Sequence, residues 1–352
     1  MNTDKPRLVF WELTKRCNLR CSHCRAEADE SVFEGELTTG QIKAVIDNIA
    51  SFASPIIVLT GGEPLYRDDI YEIASYVTGK GMPAALATNG TMIDNGVALR
   101  IKEAGVRRVS ISIDGVNADS HDGIRGIPGS FDSALAGARE LREAGVEFQF
   151  NATITRRNKD ELEGILKLSV ETGAAALHLF MLVPVGCGAE IAETEALDRN
   201  EYESVLNRFY DLSKEASIEF KATCAPHYYR IIRQRARGEG RSVTFESHGM
   251  AAMTRGCLAG SGVCFISHRG EVQPCGYLPL KAGSVAETAF RDIWEHSELF
   301  LSLRNMDLLK GKCGVCEYRN VCAGCRARAY YAGDDLFGEE PFCLYTPRGY
   351  GG

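Results

Sequence analysis

The chain has 352 residues, of which 45% are hydrophobic and 25% charged, and its formal net charge is -7. This is the composition of a globular protein with a sizeable core, and an acidic chain without Lys/Arg-rich blocks lacks the footprint of a nucleic-acid-binding protein. No apolar run approaches the roughly 20 residues of a membrane span and the start lacks an apolar signal stretch, so we expect no membrane partner and a cytoplasmic location.

Six strand-like segments alternate with helix-like segments in the first half of the chain. The strand-like segments are rich in Val, Ile, Leu, Phe and Ala, as parallel strands buried on both faces are. They cover residues 7–14, 55–60, 83–88, 108–113, 147–155 and 176–183. Amphipathic stretches such as 39–52, 70–80 and 131–144 end at glycine-containing turns. Repeated β-α units of this kind predict an α/β fold, either a doubly wound sheet or a barrel.

Polar motifs follow successive strand segments. A cysteine-rich loop follows the first, GGEP (61–64) the second, TNG (88–90) the third and IDG (113–115) the fourth. Because chemistry gathers at the C-terminal strand ends of barrels, this placement favours a partial (β/α)6 TIM-type barrel. The pattern becomes helical and polar from about residue 198 to 239, and rich in Gly and Cys from 242. We therefore predict a barrel domain with a helical segment over 1–240 and a cysteine-rich domain over 241–352.

Thirteen cysteines are more than packing requires, and in a reducing compartment they indicate metal ligands. Cys17, Cys21 and Cys24 form a C-x3-C-x2-C triad. Three thiolates can hold a [4Fe-4S] cluster and leave one iron open for chemistry. The alternative is a zinc or electron-transfer site with a fourth ligand such as His23.

The succession TKRCNLRCSHC, TGGEP, TNG and SISIDG resembles the radical SAM superfamily over roughly residues 7–185. The resemblance implies that the open iron binds S-adenosylmethionine (SAM), which is cleaved to a 5'-deoxyadenosyl radical. It also implies a set of SAM contacts, namely His23, Gly61, Gly62, Glu63, Asn89, Ser112, Asp114, Arg125 and Asn151. Glycines permit close backbone approach and a carboxylate can accept from an amino group, which suits GGEP to this role.

Eight cysteines lie between residues 257 and 343, enough for two fully ligated [4Fe-4S] clusters. They resemble the SPASM extension of radical SAM enzymes. The resemblance implies one auxiliary cluster on Cys257, Cys264, Cys275 and Cys325, and another on Cys313, Cys316, Cys322 and Cys343. Two residues separate Cys322 from Cys325, where the SPASM pattern usually has three. A zinc ribbon on Cys313, Cys316, Cys322 and Cys325 is the alternative. Cys187 and Cys224 are expected to be small buried hydrophobic residues.

The segments KATCAPHYYRIIRQRA, MTRGCLAGSGVCFISHRGEVQPCGYLPL and EEPFCLY resemble tetrapyrrole-modifying radical SAM proteins, the heme b synthases of the siroheme-dependent pathway among them. This implies an anaerobic oxidoreductase that oxidatively decarboxylates two propionates of Fe-coproporphyrin III to vinyl groups. An auxiliary cluster would accept an electron, and ferredoxin or flavodoxin would be the electron donor. Enzymes that deacetylate didecarboxysiroheme or act in the heme d1 pathway, SPASM peptide or protein maturases, and a non-catalytic electron carrier are the alternatives.

An anionic porphyrin substrate requires cationic and aromatic side chains. Arg pairs with carboxylates in bidentate geometry, and Tyr or His rings can stack on the macrocycle or ligate its iron. The residues expected to contact the substrate are His227, Tyr228, Tyr229, Arg230 and Arg255. No residue is predicted to act as a catalytic acid or base.

Overall fold

A computed structural model describes residues 5–248, 252 and 254–351, so Met253, which opens the second of the three segments above, lies outside it. Within these ranges the strands are β1 (Leu8–Glu12), β2 (Ile56–Thr60), β3 (Ala84–Thr88), β4 (Arg108–Ser112), β5 (Phe148–Ile154), β6 (Ala176–Met181), β7 (Glu219–Thr223), β8 (Val263–Ile266), β9 (Glu271–Gln273) and β10 (Gly283–Ser284). They form one ten-stranded sheet in the order β10-β9-β8-β1-β2-β3-β4-β5-β6-β7. The strands from β8 through β1 to β7 pair in parallel, whereas β9 and β10 are antiparallel.

Helices follow most of the parallel strands. In the described ranges they are α1 (Thr39–Ala50), α2 (Ile70–Gly79), α3 (Asn95–Glu103), α4 (Ala118–Arg125), α5 (Ser130–Ala144), α6 (Leu162–Thr172), α7 (Cys187–Glu190), α8 (Ala192–Glu195), α9 (Arg199–Glu215), α10 (His227–Gly238), α11 (Phe245–His248), α12 (Phe290–His296), α13 (Glu298–Arg304), α14 (Gly311–Val315) and α15 (Arg326–Gly333). α1 shows why such segments are helical: Thr38 and Gln41 form a capping box, and Ile42, Ile46 and Ile49 bury one face. The expected α/β partial barrel with a cysteine-rich C-terminal region is confirmed.

The six predicted strands correspond to β1–β6, and β7 is a seventh parallel strand that was not predicted. Residues 198–239 were expected to be helical, but β7 lies between α9 and α10. Glu219 and Lys221 are exposed on β7, and Ala222 is its one buried residue. β7 lies at the end of the row of parallel strands, and a strand in that position tolerates exposed charged residues. It therefore lacks the continuous apolar pattern that indicates a buried strand.

The two faces of the sheet differ in chemistry. Val9, Trp11 and Leu13 belong to the main apolar core, which also contains the buried faces of the helices. Because side chains alternate along a strand, Phe10 and Glu12 lie on the opposite, inner face of the barrel. The inner face therefore carries polar groups at the C-terminal strand ends.

The C-terminal region contributes directly to this sheet. β8 pairs in parallel with β1, so that Val9 is opposite Cys264 and Trp11 is opposite Ile266. The predicted domain boundary near residue 240 stays a prediction. Among the described residues, no helix has both the length and the apolar character needed to cross a membrane.

Candidate active site

The cysteine triad lies in the loop that follows β1. Its members pack together in one small apolar cluster, formed around Cys17, Cys21 and Cys24. Backbone N–H groups of Leu19 and Ala28 donate to the sulfurs of Cys17 and Cys24 at 3.4 and 3.5 Å, and Arg125 Nη1 lies 3.6 Å from Cys21 Sγ. Burial raises the pKa of the free Cys17 thiol to about 12, and metal binding would remove that proton. Clustered sulfurs with N–H donors fit an iron–sulfur cluster.

The GGEP loop contacts the cysteine loop backbone to backbone. The N–H groups of Gly62 and Glu63 donate to the carbonyl oxygens of Thr14 and Arg16 at 2.8 and 2.7 Å. A Cβ atom on Gly61 would lie 2.6 Å from the Thr14 oxygen, and one on Gly62 would lie 2.4 Å from the Arg16 oxygen. Glycine is therefore required at both positions to keep the two loops in register.

Glu63 joins the GGEP loop to the TNG loop. Its carboxylate is fully buried and accepts from the Thr88 hydroxyl at 2.8 Å and from the Asn89 N–H at 2.8 Å. Burial raises the pKa of Glu63 to about 7. Asn89 Nδ2 in turn donates to Asn18 Oδ1 at 2.8 Å and lies 3.8 Å from Cys17 Sγ. These contacts place Glu63 and Asn89 beside the triad.

Asp114 is the centre of a buried charged group. Its Oδ2 lies 2.6 Å from Arg125 Nη2 and 3.5 Å from His23 Nε2. Burial alone would raise the pKa of Asp114, but the charge of the Arg125 guanidinium, the largest of several opposing contacts, makes the net shift downward. Burial lowers the pKa of His23 to about 4, so His23 is neutral at pH 7. Within the described residues His23 Nδ1 is buried without a hydrogen-bond partner, which fits a ligand group such as adenine at this point.

Ser112 and Asn151 lie opposite each other on neighbouring strands β4 and β5. Asn151 Oδ1 accepts from Gln149 Nε2 at 2.8 Å, and Gln149 also contacts His178 at 2.8 Å. Most of the nine residues expected to contact SAM thus lie at C-terminal strand ends or in the loops that follow them, whereas Asn151 is in the middle of β5 and Arg125 ends α4. Their individual roles stay predictions.

A second polar group, which was not predicted, lies on the inner face. Glu12 Oε2 pairs with Arg25 Nη2 at 2.5 Å, and Glu12 Oε1 lies 2.8 Å from His268 Nδ1. Burial raises the pKa of Glu12, but the Arg25 and His268 contacts outweigh it and hold it at about 2. The Arg25 guanidinium lies 4.4 Å from the centre of the Phe265 ring. The sequence signal for this group was the position of Arg25 directly after Cys24. The other two members, Glu12 and His268, lie in distant segments of the chain.

The residues expected to contact the substrate, His227, Tyr228, Tyr229, Arg230 and Arg255, do not form one group. His227 and Arg230 line the same cavity as Cys313 and Cys316, and Arg255 and Cys257 line another. Tyr228 belongs to the main core, and Tyr229 is also buried. His227 is fully buried, with Nε2 3.9 Å from Glu340 Oε2. The Tyr228 ring packs 5.3 Å from that of Phe209, and Arg230 pairs with Glu203 at 2.5 Å. Arg255 Nε donates to the carbonyl oxygen of Cys257 at 3.0 Å. Their role in substrate binding stays a prediction, and Glu12, Arg25 and His268 form a separate group.

An open cavity of about 370 Å³ contains one complete set of predicted auxiliary ligands, Cys313, Cys316, Cys322 and Cys343. Backbone N–H groups of Glu340 and Tyr318 lie 3.4 Å from the sulfurs of Cys313 and Cys316. Arg230 and Lys312 line the same cavity and offset thiolate charge. The donor set fits a [4Fe-4S] cluster. No three His, Cys, Asp or Glu side chains in the described ranges are placed to bind a single metal ion.

The other predicted set is only partly assembled. Cys275 and Cys325 belong to one apolar group with Val183, Val185, Leu278 and Ala327, and Cys224 lies in the same group. Burial raises the pKa of the Cys275 and Cys325 thiols, and the nearby Cys257 raises both further. Cys264 is instead buried in the main core. Cys325 does not line the cavity that contains Cys313, Cys316 and Cys322, the three cysteines that would share a zinc ion with it in the zinc-ribbon alternative.

Comparisons with known proteins agree with this architecture. The profile described as the Radical SAM superfamily matches residues 11–169, and that of the SPASM iron–sulfur cluster-binding domain matches residues 257–326. The chain is 52% identical to AdoMet-dependent heme synthase of Methanosarcina barkeri, over 98% of each chain. It is also 52% identical to the protein of the same name from Nitratidesulfovibrio vulgaris, over 97% of this chain and 93% of that one.

More distant proteins share the fold. The chain is 33% identical to Fe-coproporphyrin III synthase of Methanosarcina barkeri, over 97% of this chain and 89% of that one. The crystal structure of Streptococcus suis SuiB bound to S-adenosylmethionine has a TM-score of 0.78 and 15% identity, and covers 97% of this chain and 78% of that chain. At that identity the likeness to SuiB concerns the fold alone.

Proposed function

The chain belongs to the radical SAM superfamily and carries a SPASM iron–sulfur domain, and from this premise we propose that it converts Fe-coproporphyrin III to heme b by oxidative decarboxylation. It is a SAM-dependent oxidoreductase whose cofactors are [4Fe-4S] clusters and SAM. The observation that supports the finer proposal is 52% identity to a protein named AdoMet-dependent heme synthase, over 98% of both chains.

In this proposal Cys17, Cys21 and Cys24 hold the SAM-binding cluster. Glu63 accepts from the SAM amino group, and the Asp114–Arg125 pair fixes His23 against the adenine. Bound SAM and clusters supply hydrogen-atom abstraction and electron acceptance. The residues around them bind, orient and exclude water, which their deep burial permits.

We assign Arg25 to a propionate of the substrate. Its guanidinium is held by Glu12 and stacked on Phe265, so it is oriented before the substrate arrives. An Arg fork can bind a carboxylate with two parallel hydrogen bonds. Arg25 follows Cys24 directly, which keeps the bound propionate close to the triad. His268, on the other oxygen of Glu12, fixes the orientation of that carboxylate.

The reaction balances for each propionate side chain. The carbon next to the macrocycle loses a hydrogen atom, the bond to the carboxylate carbon breaks, and carbon dioxide leaves. One electron leaves with it, and a vinyl group remains. The two reactions together remove two carboxyl groups and two hydrogen atoms from the porphyrin.

The test is an anaerobic incubation of reconstituted protein with Fe-coproporphyrin III, SAM and a reductant. We expect 5'-deoxyadenosine and a product with the mass of heme b. A Cys17→Ala variant should form neither, whereas Cys187→Ala, which removes a thiol outside the triad, should form both. Conversion of didecarboxysiroheme with loss of acetate groups, and no reaction with Fe-coproporphyrin III, would overturn the proposal.

A further inference from the structure

Cys264 points away from the other cysteines of its predicted set. It lies on β8 opposite Val9 of β1, and both residues belong to the main core. Its strand neighbour Phe265 contacts Arg25 on the inner face, so alternation along the strand sends Cys264 to the outer face. Trp294 and Phe300 belong to the same core. Burial raises the pKa of the Cys264 thiol, and the charge of Arg304 offsets only part of that rise.

Cys224 occupies a strand end that faces the cysteines instead. It directly follows β7 and has a φ of 54°, a left-handed conformation that a residue with a side chain rarely adopts. The Tyr202 hydroxyl donates to the Cys224 carbonyl oxygen at 3.1 Å. A strained backbone held in place by a partly buried hydrogen bond is typical of a position where the direction of the side chain matters.

Cys224 lies beside the other cysteines of this set. It packs in one apolar group with Cys275 and Cys325. Gly256, the residue before Cys257, lies against Pro226, since a Cβ atom on Gly256 would lie 2.5 Å from Pro226 Cα. The backbone N–H of Leu278 donates to the carbonyl oxygen of Cys275 at 3.3 Å. Neutral thiols can pack in such an apolar group, but thiolates there are costly unless a cluster binds them.

A buried polar network fixes Cys224 relative to Cys325. Arg328 Nη2 donates to the Tyr202 hydroxyl oxygen at 2.8 Å, and Arg328 Nε donates to Glu340 Oε1 at 2.9 Å. Glu340 Oε2 accepts from the Cys325 N–H at 2.7 Å. The backbone of Cys224 is therefore connected to that of Cys325 through three buried side chains.

We propose that Cys224, and not Cys264, is the fourth ligand of the first auxiliary [4Fe-4S] cluster, together with Cys257, Cys275 and Cys325. The proposal rests on the cluster chemistry of the proposed function and not on the porphyrin substrate. It joins the end of β7, within the barrel half of the chain, to the SPASM cysteines through iron. Cys264 is a core residue whose sulfur packs against apolar side chains.

The test uses full-length protein in which the triad is removed by Cys17→Ala, Cys21→Ala and Cys24→Ala, so that auxiliary clusters give the entire signal. After anaerobic reconstitution this parent should hold about eight iron atoms per chain, as two four-iron clusters. Cys224→Ala and Cys264→Ala are then added separately as a matched pair. Iron, acid-labile sulfide and the electron paramagnetic resonance spectrum of the reduced protein are measured, with no porphyrin present.

We expect Cys224→Ala to lower the iron content or change the spectrum of one cluster, and Cys264→Ala to leave both unchanged. Cys224→Ser guards against a folding failure, since an oxygen ligand keeps the cluster and shifts its spectrum, whereas serine at a non-ligand position would not. An unchanged spectrum in both Cys224 variants, or a lost cluster in Cys264→Ala, would overturn the proposal. Neither result depends on which substrate the enzyme accepts.

Discussion

The buried pair between Glu12 and Arg25 offers a quantitative test, through the Glu12→Gln variant. The pKa of Glu12 is about 2, against 4.5 for an ordinary glutamate. At about 1.36 kcal/mol per pH unit, this difference corresponds to about 3 kcal/mol of folding free energy. This agrees with the roughly 3–5 kcal/mol lost when one partner of a buried pair is removed. We therefore expect the free energy of unfolding of the variant at pH 7 to be about 3 kcal/mol lower than that of the wild type.

The assay is urea unfolding of anaerobically reconstituted wild type and variant at equal iron content. A depressed carboxyl pKa contributes stability above the unfolded value near 4.5, and this contribution is lost only as the pH falls toward about 2. Glu12 therefore stays ionised at both pH 6 and pH 8, and the difference should not shrink between pH 8 and pH 6. The matched control is Glu171→Gln, which removes the exposed pair with Lys167 and should cost under about 1 kcal/mol. A Glu12→Gln penalty no larger than that of the control, or one that shrinks between pH 8 and pH 6, would refute the reasoning.

Three further changes test the site. Gly62→Ala should lower the melting temperature and the iron retained, because its Cβ meets a carbonyl oxygen at 2.4 Å, whereas Gly79→Ala, in open space, should not. Asp114→Asn leaves the buried Arg125 unpaired and should weaken SAM binding by about tenfold or more, about 1.4 kcal/mol, in a calorimetric titration. Unchanged SAM affinity would contradict this role. Arg25→Ala should raise the KM for Fe-coproporphyrin III by about tenfold while SAM cleavage continues, and an unchanged KM would exclude propionate binding there.

The sequence predicted the barrel well because the barrel depends on local patterns. The six apolar strands are continuous, and GGEP, TNG and IDG each follow a strand directly. β7 was not predicted because Glu219 and Lys221 interrupt the continuous apolar run by which the six other strands were identified. Such a strand is recognised by its pairing with β6 and not by its own composition.

The auxiliary cysteines were harder to group because spacing along the chain does not report direction in space. Cys264 is close to Cys257 and Cys275 in sequence, but the pairing of β8 with β1 turns it to the outer face. Cys224 lies more than 30 residues before Cys257 in sequence and reaches the set only through the fold. Glu12, Arg25 and His268 were missed for the same reason, since their contacts join three distant segments.

The pairing of β8 with β1 also affects how the protein is made. Leu8 pairs with Val263, so the partner of β1 on this side is synthesised about 250 residues later. At roughly 5–20 residues per second, one edge of β1 stays open for roughly 10–50 s on the ribosome. An open parallel edge is a template for wrong pairing, and the triad loop follows it directly. A version truncated before β8 should therefore aggregate more readily than the full-length chain.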